Sequence, residues 1–146
     1  MIVIGLGSNQ GNRLDHLRQA CLSLSEHPHI EVSAVAGVYE SKALLPENAR
    51  PEWDVPYFNT AVALNTTFAP LALLDQLQVI ERCLGRQTAT RWAPRVIDLD
   101  ILVWDDLLFN HDRLCIPHPG ITQRPFVIWP LCDLMPGHQL LPGTDQ

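Results

Sequence analysis

The order in which strand-like and helix-like apolar patterns follow one another is the feature that most constrains this fold. Apolar segments typical of strands lie at Ile2–Ser8, Ile30–Tyr39, Tyr57–Leu64 and Ile97–Trp104. Apolar residues at helical spacing form two sets, Leu14, Leu17, Cys21 and Leu24 in the first and Leu73, Leu77, Ile80 and Leu84 in the second. The resulting order of strands and helices is compatible with a ferredoxin-like α+β sandwich, in which a mostly antiparallel sheet carries helices on one face.

Local signals predict where these elements begin and end. Asn12 is a good N-cap for the first helix, Pro70 suits the first position of the second, and Gly85 is placed to end it. Two loops and a short C-terminal helix are predicted at Leu44–Pro56, Gly85–Pro94 and Gln123–Leu134. The second strand alternates, which predicts that one of its faces carries Ile30, Val32, Ala34, Ala36 and Val38.

A length of 146 residues predicts one domain, spanning residues 1–146. Hydrophobic residues make up 47% of the chain, which argues against disorder, and no apolar run approaches the roughly 20 residues of a membrane span. The net charge of −6 argues against nucleic acid or an anionic membrane as a partner. The four cysteines form no CxxC or CxC pair and the N-terminus has no basic segment, so we expect a reduced, cytoplasmic protein without a signal peptide.

Asp98 and Asp100 lie in an otherwise apolar predicted strand. Because side chains alternate along a strand, both carboxylates are expected on one face. The opposite face is expected to point into the core and carries Ile97, Leu99, Ile101 and Val103. Two neighbouring carboxylates repel each other and therefore need counter-charge. A pair of Mg²⁺ ions shared with substrate phosphates would supply it. The alternatives are pairing with Arg91 or Arg95, or solvation of the strand face.

A basic segment precedes the two carboxylates and contains Arg86, Arg91, Trp92 and Arg95. Guanidinium groups bind phosphate oxygens in pairs and neutralise charge during phosphoryl transfer, and a tryptophan can stack on a planar ring. A solvated basic loop is the alternative. The glycine-rich residues 5–11 lack the spacing of GxGxxG and the lysine of a P-loop, so they predict only a turn after the first strand.

Several further polar residues are candidates for ligand contacts. Tyr57 and Asn59 share a strand face and suit a flat heterocycle with amide-like edges, although a satisfied interior asparagine is an equal alternative. Gln78 and Glu81 lie beside the apolar stripe of the second helix, where a solvated flank is favoured over a nucleotide contact. His118 lies between two prolines, which would present its ring rigidly to a ligand, although a structural histidine is the more common case.

Taken together, these segments resemble the family of 6-hydroxymethyl-7,8-dihydropterin pyrophosphokinases of folate biosynthesis. The segments are GLGSNQGNR near the N-terminus, Pro56–Asn59, RWAPRVIDLD over Arg91–Asp100, Ile116–Pro119 and RPFVIWPL from Arg124. Their combination is highly specific, although no single segment is, and it covers about residues 1–136.

The resemblance implies a ferredoxin-like fold and a single pyrophosphokinase domain that transfers pyrophosphate from ATP to the pterin hydroxymethyl group, giving AMP. It implies two Mg²⁺ ions held by Asp98 and Asp100, and it implies that the same two aspartates, Arg86 and Arg95 are catalytic. The residues that it assigns to ATP are Gln78, Glu81, Arg86, Arg91, Trp92, Arg95, Ile101, Arg113, Cys115, His118 and Arg124. Those that it assigns to the pterin are Ser41, Leu44, Tyr57, Asn59, Trp92, Asp98 and Phe126. We expect a monomer whose partners are these two small molecules.

Departures from the family's pattern leave other interpretations open. The family commonly has a proline soon after a Tyr-x-Ser/Thr sequence, where this chain has Tyr39–Ala43, and residues 87–90 include no basic side chain. A non-catalytic pterin- or nucleotide-binding relative is therefore the second interpretation. A different metal-dependent nucleotidyl- or phosphotransferase is the third, and a nucleic-acid-binding module is the least favoured.

Overall fold

A five-stranded antiparallel sheet is the main element of the structure, a computed structural model that describes residues 1–86, 94–121 and 125–134. Its strands are β1 (Ile2–Ser8), β2 (Ile30–Val35), β3 (Tyr39–Ser41), β4 (Tyr57–Thr66) and β5 (Asp98–Trp104). Their order across the sheet is β2-β4-β1-β5, and β3 pairs with β4 beside β2. A separate two-stranded hairpin consists of β6 (Phe109–His111) and β7 (Leu114–Ile116).

Two helices connect the strands in the ferredoxin-like manner. Helix α1 (Arg13–Glu26) links β1 to β2, and α2 (Pro70–Cys83) links β4 to β5, so each linked pair is separated in the sheet by one strand. The central strand β1 pairs antiparallel with both β4 and β5. The predicted ferredoxin-like α+β sandwich is therefore confirmed. None of the helices in the described ranges is long and apolar enough to cross a bilayer.

The predicted ends of the helices are confirmed by their cap geometry. The side-chain oxygen of Asn12 accepts a hydrogen bond from the N–H of Asp15 at 3.1 Å and so caps α1. Pro70 is the first residue of α2. Gly85 follows α2 with φ +101°, in the left-handed region that favours glycine.

The two faces of the sheet are covered by different helices. On one face, α1 and α2 bury an apolar core that includes Ile4, Leu6, Leu73 and Leu77. On the other face, α3 (Pro125–Leu134) packs through Leu131 against a second apolar cluster, Val3, Ala61, Leu102 and Ile121. The expectation that the helices cover one face is therefore wrong, because α3 brings its own apolar residues to the second face.

Strand β5 alternates as predicted over its first half. Leu99 and Ile101 belong to the core beside α1 and α2, which places Asp98 and Asp100 on the side of the sheet that carries α3. The register with β1 then shifts, and Val103 packs with the α3 cluster. The prediction that Val103 shares the face of Leu99 is therefore wrong. The irregularity shifts the alternation by one residue, so that Val103 points to the opposite face of the sheet.

Strand β2 is shorter than predicted. Its register with β4 shifts between Val32 and Ala34, and the strand ends at Val35 rather than at Tyr39. Ala34 and Val38 are exposed, so the single predicted face over residues 30–38 does not exist. After β2 ends, the chain forms the separate short strand β3, which places Ser41 beside the start of β4.

Candidate active site

The glycines of β1 separate the polar residues of the two neighbouring strands. Gly7 pairs with Asn59 on β4 and with Asp98 on β5, and Gly5 pairs with Asp100. All five residues line one cleft on the side of the sheet that carries α3. The two glycines therefore form the floor of this cleft between an amide wall and a carboxylate wall.

This floor consists of main chain, and a side chain at either glycine would crowd the neighbouring side chains. A Cβ atom added at Gly7 would lie 3.3 Å from Asn59 Oδ1 and 3.3 Å from Tyr57 Cδ1. One added at Gly5 would lie 3.1 Å from the side chain of Leu102. Both glycines lie inside β1, as the predicted strand Ile2–Ser8 requires, and the chain bends after the strand at residues 10–12, where the turn was predicted.

The cleft has a volume of about 210 Å³ and collects residues that were predicted for both substrates. The predicted residues that line it are Leu44, Tyr57, Asn59, Arg95, Asp98, Asp100 and His118. Lining residues that the sequence analysis did not single out for a site are Gly5, Leu6, Gly7, Lys42, Ala43, Thr60, Leu102 and Val127. The structure thus brings together side chains from distant parts of the chain.

Two arginines bind the carboxylate of Asp98. Arg86 Nη1 lies 2.9 Å from Asp98 Oδ1, and Arg95 Nη1 lies 3.1 Å from the same oxygen. Pairing with Arg95, which the sequence analysis kept as an alternative to a metal site, is therefore seen for Asp98, and Arg86 adds a second cation. Burial would lower the pKa of Arg95, but the charge of Asp98 and its hydrogen bond outweigh this effect and raise the pKa.

Arg86 is also held from behind by Glu81 of α2. Glu81 Oε2 accepts a hydrogen bond from Arg86 Nη1 at 2.6 Å and one from the N–H of Leu99 at 2.8 Å. Glu81 is 7% exposed, so the solvated helix flank favoured from the sequence is wrong for this residue. Burial raises the pKa of Glu81, although the Leu99 hydrogen bond and the Arg86 charge oppose the shift. Its predicted contact with ATP stays a prediction.

The main chain of Arg95 is held by Asn9, a residue that the sequence analysis missed. The N–H of Asn9 donates to the carbonyl of Arg95 at 3.1 Å, and the N–H of Arg95 donates to Asn9 Oδ1 at 2.7 Å. Asn9 Nδ2 donates to the carbonyl of Val55 at 3.1 Å. Asn9 therefore joins the end of β1 to two loops.

Tyr57 and Asn59 form the β4 wall of the cleft. Asn59 Nδ2 donates to Ser41 Oγ at 2.8 Å and to a main-chain oxygen of β3 at 3.3 Å. Both donors of this amide are thus used within the protein, and its carbonyl oxygen, which lies against the glycine floor, can accept from a ligand. Burial raises the pKa of Tyr57 to about 12, with a further contribution from Asp98, so its phenol is neutral at pH 7.

A second cleft of about 250 Å³ adjoins the first and shares Asp100 and His118 with it. Other residues predicted for ATP lie along this cleft, namely Ile101, Arg113 and Cys115. Arg113 Nη2 donates to Asp75 Oδ1 at 2.6 Å and to Gln78 Oε1 at 3.3 Å, which brings the predicted Gln78 to the same region. Four of the residues predicted for the pterin therefore line the first cleft and three predicted for ATP line only the second, although Arg95, also predicted for ATP, lines the first.

His118 presents its ring at the junction of the two clefts. Its main-chain N–H donates to the carbonyl of Leu102 at 2.8 Å, and its Nδ1 accepts from the N–H of Gly120 at 3.0 Å. A neutral imidazole whose Nδ1 accepts a hydrogen bond carries its proton on Nε2. His118 therefore has an N–H donor suited to a phosphate oxygen.

Part of the predicted site lies outside the described residues, namely Arg91, Trp92, Arg124 and the side chain of Phe126. Their roles stay predictions. Among the residues that the sequence analysis missed, Gly5 and Gly7 had a usable signal, since glycines two apart in a strand mark a close approach on one face. Asn9 had none beyond being polar directly after a buried strand.

The fold and the clefts together define a ferredoxin-like α+β protein whose paired carboxylates and arginines suit the transfer of a phosphate-containing group. The sequence profile of the family described as 7,8-dihydro-6-hydroxymethylpterin-pyrophosphokinase (HPPK) matches residues 3–136. The chain belongs to this family, which confirms the resemblance seen in its motifs.

Curated relatives agree with this assignment. The 2-amino-4-hydroxy-6-hydroxymethyldihydropteridine pyrophosphokinase of Pseudomonas aeruginosa is 38% identical over 97% of this chain and 85% of the relative. That of Bacillus subtilis is 37% identical over 90% of this chain and 75% of the relative. The Folate synthesis bifunctional protein of Chlamydia trachomatis is 39% identical over 92% of this chain, which spans 30% of that longer protein.

The fold also resembles a solved structure. A crystal structure of an HPPK-DHPS protein in complex with substrates superposes with a TM-score of 0.63 and 15% sequence identity, covering 94% of this chain and 40% of the other. At this identity the likeness supports the fold alone.

Proposed function

We propose that the chain transfers a pyrophosphoryl group from ATP to the hydroxymethyl group of 6-hydroxymethyl-7,8-dihydropterin, giving AMP and the pterin diphosphate in folate synthesis. The observation that carries the proposal is the pair of adjoining clefts that share Asp100 and His118. Tyr57 and Asn59 suit a flat heterocycle in the first cleft, and Arg113 suits phosphates in the second. Transfer between two substrates depends mainly on holding them in line, and this arrangement offers a place for each.

Asp98 and Asp100 fit a Mg²⁺ site that the substrate completes. Mg²⁺ is usually bound through one or two carboxylates together with water and substrate phosphates rather than by a complete protein cage. Within the described ranges, no group of three or more His, Cys, Asp or Glu side chains is placed to hold a metal, which is consistent with such a shared site. Bound Mg²⁺ would neutralise phosphate charge and polarise the reacting oxygens. We include the predicted number of two ions in this proposal.

Arg86 and Arg95 are placed to act on the triphosphate. Both guanidinium groups lie within 3.1 Å of Asp98, at the carboxylate wall of the first cleft. A phosphate bound beside Asp98 would therefore meet two cations and could replace the carboxylate as their partner. Held there, the arginines would oppose the negative charge that develops during transfer.

The cytoplasmic location and the monomeric state are part of the same proposal. Free thiols are typical of reducing compartments, and the cysteines Cys21, Cys83, Cys115 and Cys132 are all free.

The proposal is tested by incubating the purified chain with Mg²⁺, ATP and 6-hydroxymethyl-7,8-dihydropterin and resolving the nucleotides. We expect AMP that forms only when the pterin is present. Asp98→Ala and Asp100→Ala should abolish it while keeping the fold, and Asp106→Ala, which removes an exposed carboxylate beyond the end of β5, should not. ADP as the product would indicate a different phosphotransferase, and binding of ATP or the pterin without turnover would indicate the non-catalytic relative.

A further inference from the structure

We infer that Asn9 is a positioning residue for the transfer reaction, which holds the main chain of Arg95 and ties it to the loop that leads into Tyr57. The inference rests on the proposed function, because it takes Arg95 to act on phosphate. In the described part of the chain Asn9 lines neither cleft, so its action has to pass through its neighbours.

Both polar groups of the Arg95 main chain are bound by Asn9. The carbonyl of Arg95 accepts from the N–H of Asn9 at 3.1 Å, and the N–H of Arg95 donates to Asn9 Oδ1 at 2.7 Å. Asn9 is 2% exposed, so water does not compete for these hydrogen bonds. Asn9 directly follows the central strand β1, whose pairing on both sides fixes it in place.

This attachment matters because of where Arg95 lies. Arg95 precedes β5 and belongs to no helix or strand, yet its guanidinium must reach Asp98 in the cleft at 3.1 Å. A guanidinium at the end of a long flexible side chain is placed accurately only if its main chain is fixed. Asn9 supplies this fixed point.

The remaining donor of Asn9 extends the attachment to the other substrate. Asn9 Nδ2 donates to the carbonyl of Val55 at 3.1 Å, and Val55 lies two residues before Tyr57 in the wall of the first cleft. One buried amide therefore sets the separation between the arginine proposed for the phosphates and the ring proposed for the pterin.

Asn9→Ala removes both side-chain hydrogen bonds and tests the inference. A misplacement of about 1 Å can cost two orders of magnitude in rate, so we expect kcat to fall roughly 10- to 100-fold. Asn12→Ala is the matched control, because it removes an asparagine side chain that caps α1 and makes no bond to Arg95. It should leave kcat within about 2-fold of the original protein.

A double-mutant cycle separates positioning from a general loss of structure. If Asn9 acts mainly through Arg95, Asn9→Ala should lower kcat much less in an Arg95→Ala background than in the original protein, because only the contribution through Val55 would remain. The same loss in both backgrounds, or an unchanged kcat in Asn9→Ala alone, would overturn the inference.

Hydrogen exchange provides a readout that does not depend on activity. The Arg95 amide should exchange faster in Asn9→Ala than in the original protein, and its exchange should be unchanged in Asn12→Ala. If the original protein forms no AMP, the proposed function fails, but exchange at Arg95 still decides whether Asn9 holds this segment. Unaltered exchange in Asn9→Ala would refute the positioning role.

Discussion

Replacement of Arg86 by alanine should separate what this arginine does for stability from what it does for activity. Arg86 Nη1 lies 2.6 Å from Glu81 Oε2 and 2.9 Å from Asp98 Oδ1. Asp98 retains Arg95 in the variant, 3.1 Å away. Glu81 retains the hydrogen bond from Leu99 but loses its nearby counter-charge, so the cost of the substitution comes mainly from this buried carboxylate.

The magnitude follows from burial. Breaking a buried ion pair by removing one partner costs about 3–5 kcal/mol of the free energy of unfolding. The Glu81 side chain is 9% exposed but that of Arg86 is 27% exposed, so solvent already weakens the pair. We therefore expect Arg86→Ala to lower the free energy of unfolding by about 2–3 kcal/mol at pH 8.

This cost should depend on pH. Burial raises the pKa of Glu81 and Arg86 opposes the shift, so the pKa of Glu81 should rise further when Arg86 is removed. A group whose native pKa is raised favours the folded state below its ordinary pKa, and that contribution is lost as the pH rises through the native pKa. The destabilisation by Arg86→Ala should therefore be largest at pH 8 and smaller at pH 5.

Urea unfolding at both pH values checks this reasoning in the original protein, Arg86→Ala, Glu81→Gln and the double variant. The double variant should recover most of the stability, because a neutral amide at position 81 needs no counter-charge and can still accept from Leu99. It should not recover AMP formation, because the arginine proposed for the triphosphate is still absent. A cost below about 0.5 kcal/mol at both pH values, or a double variant no more stable than Arg86→Ala, would refute the argument.

Three further predictions concern the first cleft. Arg95→Ala should lower kcat about 10²- to 10³-fold if the arginine stabilises charge in the transition state. A raised KM with an unchanged kcat would mean that Arg95 binds the substrate and the transition state equally well. Phenolate absorbance can be titrated in the original protein and in Tyr57→Phe. Subtracting the second curve from the first should leave the titration of Tyr57, with a pKa of about 12. Because burial favours the neutral phenol, its contribution to stability should be complete below about pH 10, the ordinary pKa of tyrosine, and be lost as the pH rises from there through the native pKa of about 12. A titration midpoint near pH 10 would instead mean that the ring is solvated. Gly7→Ala places a Cβ 3.3 Å from Asn59 Oδ1 and Tyr57 Cδ1, so the KM for the pterin should rise while the fold is kept. An unchanged KM would show that the pterin does not reach this floor.

Much of the fold was predictable because its signals are local. The apolar segment Ile2–Ser8 is β1 without adjustment, and Pro70 begins α2 as expected. The early end of β2 depends instead on its register with β4, which no local pattern contains. The hairpin strands β6 and β7 have three residues each, too few for a periodicity to appear, and the sequence analysis missed both.

The candidate site divides in the same way. Asp98, Asp100, Tyr57 and Asn59 were predictable because strand alternation places each pair on one face, and the structure collects all four in one cleft. The role of Glu81 in holding Arg86 was not predictable. It depends on burial and on the main-chain N–H of a residue 18 positions further along the chain, and neither is visible as a spacing of residue types.

The glycine floor of the first cleft limits which substitutions could make this site resistant to an inhibitor. A substitution alters a side chain, but the floor at Gly5 and Gly7 is main chain and offers none to alter. Any larger residue at Gly7 would press on Tyr57 and Asn59, so a change that expels a compound lying on this floor would also disturb the wall proposed for the natural substrate. Compounds that extend to Lys42–Leu44 would lose this protection, because the side chains of Lys42 and Leu44 are exposed and can be exchanged at little cost to the fold.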